Sequence, residues 1–189
     1  MTRSTTTTTP MSTAMTATAT RHDRRMYALM NRREATALYA TAARRRAVVG
    51  AHVLMTLASI ALWLLMVLDG DALWPAVALL ALVLPWCVAT GAINAATRGL
   101  LELRGRMLDE RQLTERDRVR ALAHRITTGL LLLAAAGMGA VTWFAEVRFE
   151  GLAFAVLFSA LVIHWVMPLW VAGLRAEDEP DPYGDPVAE

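Results

Sequence analysis

The chain has 189 residues, 56% of them hydrophobic, and a formal net charge of +2. Soluble domains average about 45–50% apolar residues. The excess here is concentrated in four blocks separated by charged segments, which excludes an ordinary water-soluble globule. A single cysteine, Cys87, excludes an intrachain disulfide.

All nineteen basic residues are arginine. Lysine serves equally well on solvated loops, so coding bias in a GC-rich genome accounts for the exclusive use of arginine. Residues 1–21 open the chain with a low-complexity Thr, Ala and Ser tract that includes the run Thr5 to Thr9. Without apolar periodicity the tract is expected to be a disordered cytoplasmic tail. It has no apolar core of a secretory signal, and its arginines cluster beside the first hydrophobic block rather than along the leader, which disfavours an organelle transit peptide.

Residues 22–46 read as a basic juxtamembrane helix that Asp23 could cap, with Met26, Met30 and Ala37 near one face and Arg33 interrupting it. Such a segment either lies on anionic lipid or is a solvated stub that fixes orientation. The first span is expected from Ala47 to Leu68 and the second from Leu73 to Ala95, joined by Asp69-Gly70-Asp71 in a hairpin over residues 47–97. A charged cytoplasmic segment fills residues 98–125. A second hairpin fills residues 126–174, with spans at Ile126–Ala145 and Leu152–Leu174. Each span is long enough to cross a hydrocarbon core of about 30 Å. The last fifteen residues, 175–189, hold six acids and three prolines and are expected to be disordered. The fold class is therefore all-α, a four-helix transmembrane bundle of two similar helical hairpins.

Nine arginines precede the first span, eight lie between residues 98 and 125, and Arg175 follows the last span, so 18 of 19 fall on one side. The positive-inside rule puts that side, and both termini, in the cytoplasm. Trp63, Trp74 and Trp143 near outer ends and Trp170 near an inner one fit aromatic belts.

Sliding the chain on itself by 79 residues pairs Arg46 with Arg125, Gly50 with Gly129 and Trp86 with Trp165, giving 12 identities in 55 positions. Helices rich in Ala, Leu and Val match often by chance. The repeated plan of basic lead-in, span, acidic turn and span adds weight to an internal duplication.

Ionisable and polar groups within spans are functional suspects by default. The candidates are His52, Asn94 and His164, with Thr56, Thr90 and Ser159 as weaker additions. Haem ligation by His52 and His164 is disfavoured by depth: His52 lies six residues past Arg46, roughly 9 Å, and His164 eleven before Arg175, roughly 16 Å. Hydrogen bonding between helices is the simpler use. Ala135/Gly139, Ala136/Ala140 and Gly91/Ala95 are small-residue pairs that permit close helix approach, and Pro85 and Pro168 are candidate kinks.

Between the hairpins, Asp109 followed by Gln112 has the spacing of a capping box, which predicts a helix running from Glu110 through to Ala145. Glu115 with Arg118 and Asp117 with Arg120 are helical i,i+3 pairs. The segment is either a solvated extension or a docking surface formed by Asp109, Arg116 and Arg120 for an acidic partner or lipid headgroups. Its Asp109-Glu110-Arg111-Gln112 core resembles the DERQ-type stretch of uncharacterised small multi-pass membrane proteins of high-GC Gram-positive bacteria. The resemblance spans Leu108 to Ile126 and implies a bacterial membrane protein, with no mechanism attached.

The sequence contains no nucleophile–base pair, metal cluster or phosphate-binding loop, so no enzyme activity and no cofactor is expected. The leading expectation is a plasma-membrane component acting through a protein partner or homo-oligomer. Membrane lipid rather than nucleic acid faces the basic segments. A small transporter or channel is the alternative, disfavoured by the lack of a carboxylate within the spans, and a haem-binding electron carrier is the third possibility.

Overall fold

A computed structural model describes residues 20–30, 39–68, 70, 73–145 and 153–176. Among the described residues five α-helices form: α1 (Arg21–Met30), α2 (Ala42–Leu68), α3 (Trp74–Ala96), α4 (Glu110–Ala145) and α5 (Ala153–Arg175), with a short 3-10 turn at Gly105–Met107. All but α1 are long and apolar enough to cross a membrane. The described residues form an all-α bundle in which four helices could span a membrane.

Local chemistry sets the helix ends. Thr41 accepts the amide of Arg44 on its hydroxyl and opens α2. Ala40 and Thr41 form a bend just before that helix. Of the basic segment 22–46 expected to be helical, residues 31–38 lie outside the described residues. Pro75 sits in the first turn of α3, where its missing N–H costs nothing. At the other end Arg98 (φ 51°) and Gly99 (φ 71°) turn left-handed, and the Gly99 amide closes back on the Asn94 carbonyl at 2.8 Å. The predicted capping box at the start of α4 forms in both directions. The Asp109 amide donates to Gln112 Oε1 at 3.0 Å, and the Gln112 amide donates to Asp109 Oδ1 at 2.7 Å. Pro85 and Pro168 lie inside continuous helices.

Helix α2 packs on α3 and α5, α3 also meets α5, and α4 lies along α5. The buried core sits toward the ends of the helices that carry most of the arginines: Val49, Ile93, Val119, Ala123, Val166 and Trp170 belong to it. Helix α5 comes close to α2 and α3 at Gly173, where an added Cβ would stand 2.8 Å from both Ile93 Cγ2 and Val49 Cγ2. The small residues picked out from the sequence are not at such contacts. Gly91 and Gly139 have nothing within 4 Å of a Cβ position, and Ala135, Ala136 and Ala140 are exposed. Beyond Thr127, α4 leaves the bundle: every described side chain from 128 to 144 is exposed except Met138.

The two hairpins share a plan and differ in register. In the first, Thr90 stands opposite His52 and Trp86 opposite Thr56. An offset of 79 would therefore put residue 169 opposite residue 131. In the second hairpin His124 faces His164 and Glu115 meets Arg175, which sets residue 131 opposite 157 to 159. Helix α4 is slipped along α5 by roughly 15–18 Å relative to the first hairpin. Trp86 and Trp165 keep equal depth, since both stand level with Thr56, but Arg46 and Arg125 do not.

Candidate functional site

The most developed polar site lies between α2, α3 and α5. His52 and Thr56 are one turn apart on α2, Trp86 and Thr90 one turn apart on α3, and Trp170 comes from α5. His52 is 0% exposed. The Trp170 indole N–H, which can only donate, reaches His52 Nδ1 at 2.8 Å. Nδ1 is therefore an acceptor, and the ring proton resides on Nε2, which donates to Thr90 Oγ1 at 2.9 Å. The Thr90 hydroxyl donates to the Trp86 carbonyl at 2.9 Å. The Trp86 indole donates to Thr56 Oγ1 at 2.9 Å, and Thr56 donates to the His52 carbonyl at 2.8 Å. The His52 and Trp86 rings also pack against each other, tilted by 38° with centroids 4.7 Å apart.

Every donor in this knot has an acceptor, and both imidazole nitrogens are committed. A satisfied network in a low-dielectric interior fixes the relative rotation and depth of the helices that share it. With both imidazole nitrogens hydrogen-bonded, His52 presents no free ring nitrogen in this arrangement. His164 is exposed and faces His124, with ring centroids 6.4 Å apart, rather than turning toward His52. Trp170, assigned from the sequence to an interfacial belt, is instead a core residue of the knot; its partner is 118 positions away, which no local reading reveals.

Asn94 lies at the end of α3 rather than in mid-span. It is 8% exposed, and its carbonyl accepts the Gly99 amide and the Thr97 hydroxyl. Its side-chain Oδ1 is buried without a hydrogen bond. Thr127 and Ser159 are buried and return their hydroxyls to carbonyls one turn back.

Two further arrangements were not anticipated from the sequence. Arg45 is buried at the start of α2, and its guanidinium donates to the Ala176 carbonyl at 2.7 Å. A cation on the exposed carbonyls at the end of α5 is favoured by the helix dipole, and the contact ties the chain's entry to the bundle to its exit. On the same side, Asp23 is buried between α1 and the loop after α3. Its carboxylate accepts the Thr20 amide at 2.8 Å and the Thr20 hydroxyl at 2.7 Å, closing a capping box with Thr20 as N-cap. It also accepts both Nε and Nη2 of Arg106, with Arg104 at 3.7 Å. The Thr20 hydrogen bonds, and then Arg106, hold this carboxyl down at about 2, well below the usual carboxylate range, against the opposing pull of burial. At neutral pH it is therefore a fixed anion that clips α1 to the loop.

Of the residues proposed from the sequence as a docking surface, Asp109 and Arg116 make contacts within the chain. Asp109 is committed to the capping box. Arg116 is half-buried under the loop, against the Leu103 carbonyl, with its Nε enclosed and unbonded. Arg120 is exposed. Glu115 pairs with Arg175 at 2.8 Å rather than with Arg118, and among the described residues no ion pair joins Asp117 to Arg120. Among the described residues no group of three or more His, Cys, Asp or Glu side chains could hold a metal. Compared with known families, curated proteins and solved structures, the chain matches none.

Proposed function

We propose that this membrane protein is a non-enzymatic component of a bacterial plasma membrane that works by helix contact with a protein partner or a second copy of itself. The observation that carries the reading is the outer half of α4, a membrane-crossing helix whose side chains from 128 to 144 are exposed on all sides save Met138. The polar knot beside it supports the same reading, because its groups are used up in holding α2, α3 and α5 together. Purification in mild detergent followed by mass spectrometry tests it. A stoichiometric partner chain or a defined homo-oligomer is expected, and a monodisperse monomer without protein partners would remove the reading.

The proposed orientation has both termini in the cytoplasm. The arginine distribution supports it, and so do two contacts that join the N-terminal side to later segments on one face: Arg45 with Ala176, and Asp23 with Arg106. In a Cys87→Ala background, an impermeant thiol reagent applied to intact cells should label Gly70→Cys and spare Thr114→Cys. Labelling of position 114 alone would reverse the assignment.

A further inference from the structure

Helix α4 carries a charge pattern that neither the knot nor the Asp23 clip uses. Arg111, Arg118 and Arg125 recur at seven-residue intervals, so they fall every second turn on one flank, and all three are exposed. Val119, Ala123 and Thr127, which are buried, lie roughly 140° around the helix from this stripe. The neighbouring acids Glu110 and Asp117 are each one residue off it, about 100° around, and Glu115, about 60° around, is paired with Arg175. Among the described residues Arg118 and Arg125 make no ion pair or hydrogen bond.

Glu115 meets Arg175 and His124 faces His164, so α4 and α5 run side by side between those levels. The apolar run of α4 begins at Ile126, and its length to Ala145 is about 30 Å of helix, the thickness of a hydrocarbon core. Arg125 therefore stands where that run begins, with Arg118 two turns nearer the arginine-rich end. Side chains on a helix lean toward its N-terminus, which for α4 is the arginine-rich end of the bundle, so the Arg125 guanidinium reaches back several ångströms toward the headgroups. It still ends on a flank turned away from α5.

We infer that the Arg118–Arg125 flank binds the phosphate of an anionic phospholipid drawn into the arginine-side leaflet. A guanidinium fork matches phosphate geometry and is less strongly hydrated than an ammonium. At the start of an apolar run an exposed arginine stands at headgroup level, and lipid is the medium that surrounds an outward flank there. The stripe continues into exposed apolar surface. Gly129, one turn beyond Arg125, leaves open space, and Leu132 and Leu133 beyond it are exposed beds for acyl chains. The inference rests on the membrane-spanning reading and deepens it by naming a lipid class.

The full chain is placed in nanodiscs of equal phosphatidylglycerol and phosphatidylcholine, and the lipids retained after release are counted by native mass spectrometry. Phosphatidylglycerol should be retained over phosphatidylcholine by at least about tenfold. R118Q/R125Q should lose that preference, R118K/R125K should keep part of it, and R120Q, off the stripe, should keep it whole. Single R125Q supplies the same comparison with a smaller perturbation of the helix. Equal retention of the two lipids by the wild type, or an unchanged preference in R118Q/R125Q, would overturn the assignment. Failure of the wild type to float with lipid vesicles would instead overturn the membrane reading beneath it.

Discussion

Gly173→Val should destabilise the folded bundle by about 1–3 kcal/mol, the usual range for forcing extra carbons into a packed site. The added Cβ would meet Ile93 Cγ2 and Val49 Cγ2 at 2.8 Å, and both neighbours are β-branched residues on helices with one strongly preferred χ1 rotamer. They cannot swing aside as a long flexible chain would, so α5 must move from α2 and α3 together. Gly173→Ala should show the same sign with a smaller size. Gly139→Ala supplies the contrast: nothing lies within 4 Å of its Cβ position, so the better helix propensity of alanine, up to about 1 kcal/mol, acts unopposed. The measurement is the midpoint of unfolding in detergent titrated with sodium dodecyl sulfate. If Gly173→Ala and Gly139→Ala shift that midpoint equally, the close approach of α5 is not what holds these three helices.

Most of the architecture was legible because bilayer physics is written locally. Twenty-odd apolar residues between arginine clusters mark a span wherever they occur, and the observed helices Ala42–Leu68, Trp74–Ala96 and Ala153–Arg175 cover the expected spans with small changes at their ends. The start of α4 at Glu110 was readable for the same reason, since Asp109 and Gln112 satisfy each other's backbone within one turn. The slide of one helix on another was not readable. Helix surfaces of alanine, leucine and valine interlock at many registers, and the 79-residue self-match implies one that the second hairpin does not adopt. Its register follows from contacts such as Glu115 with Arg175 and His124 with His164, between residues far apart in the chain.

The candidate site divides along the same line. His52 was visible as a polar residue in an apolar run, and Thr56 and Thr90 stood out for the same reason. Trp86 and Trp170 were not recognised as their partners, because an indole counts as apolar in any hydropathy pattern and discloses its N–H only when an acceptor comes into reach. Gly173 carried no signal beyond being small, and Gly91 or Gly139 looked equally good. The difference is made entirely by Val49 and Ile93, which come from two other helices.

His52→Leu should also destabilise the bundle, by about 1–3 kcal/mol, and through a different route. Leucine fills much of the ring volume but removes the acceptor at Nδ1, stranding the Trp170 N–H in a site with no access to water. Thr90 keeps a partner for its own proton in the Trp86 carbonyl and loses only an incoming bond, so most of the cost should fall on Trp170. A double-mutant cycle isolates it. Trp170→Phe removes the donor and leaves His52 Nδ1 unpaired, whereas His52→Leu with Trp170→Phe removes both ends at once. The double variant should therefore be less destabilised than the sum of the singles. Hydrogen bonds between helices in membranes average about 0.6 kcal/mol and reach about 1.7. This one should fall at the upper end, because His52 is fully enclosed and Thr90 polarises the ring from the far side. Trp86→Phe serves as a control, since its indole bond to Thr56 lies on the other arm of the knot. Strict additivity of His52→Leu and Trp170→Phe in the same unfolding titration would mean that the imidazole fills space without bonding α2 to α5.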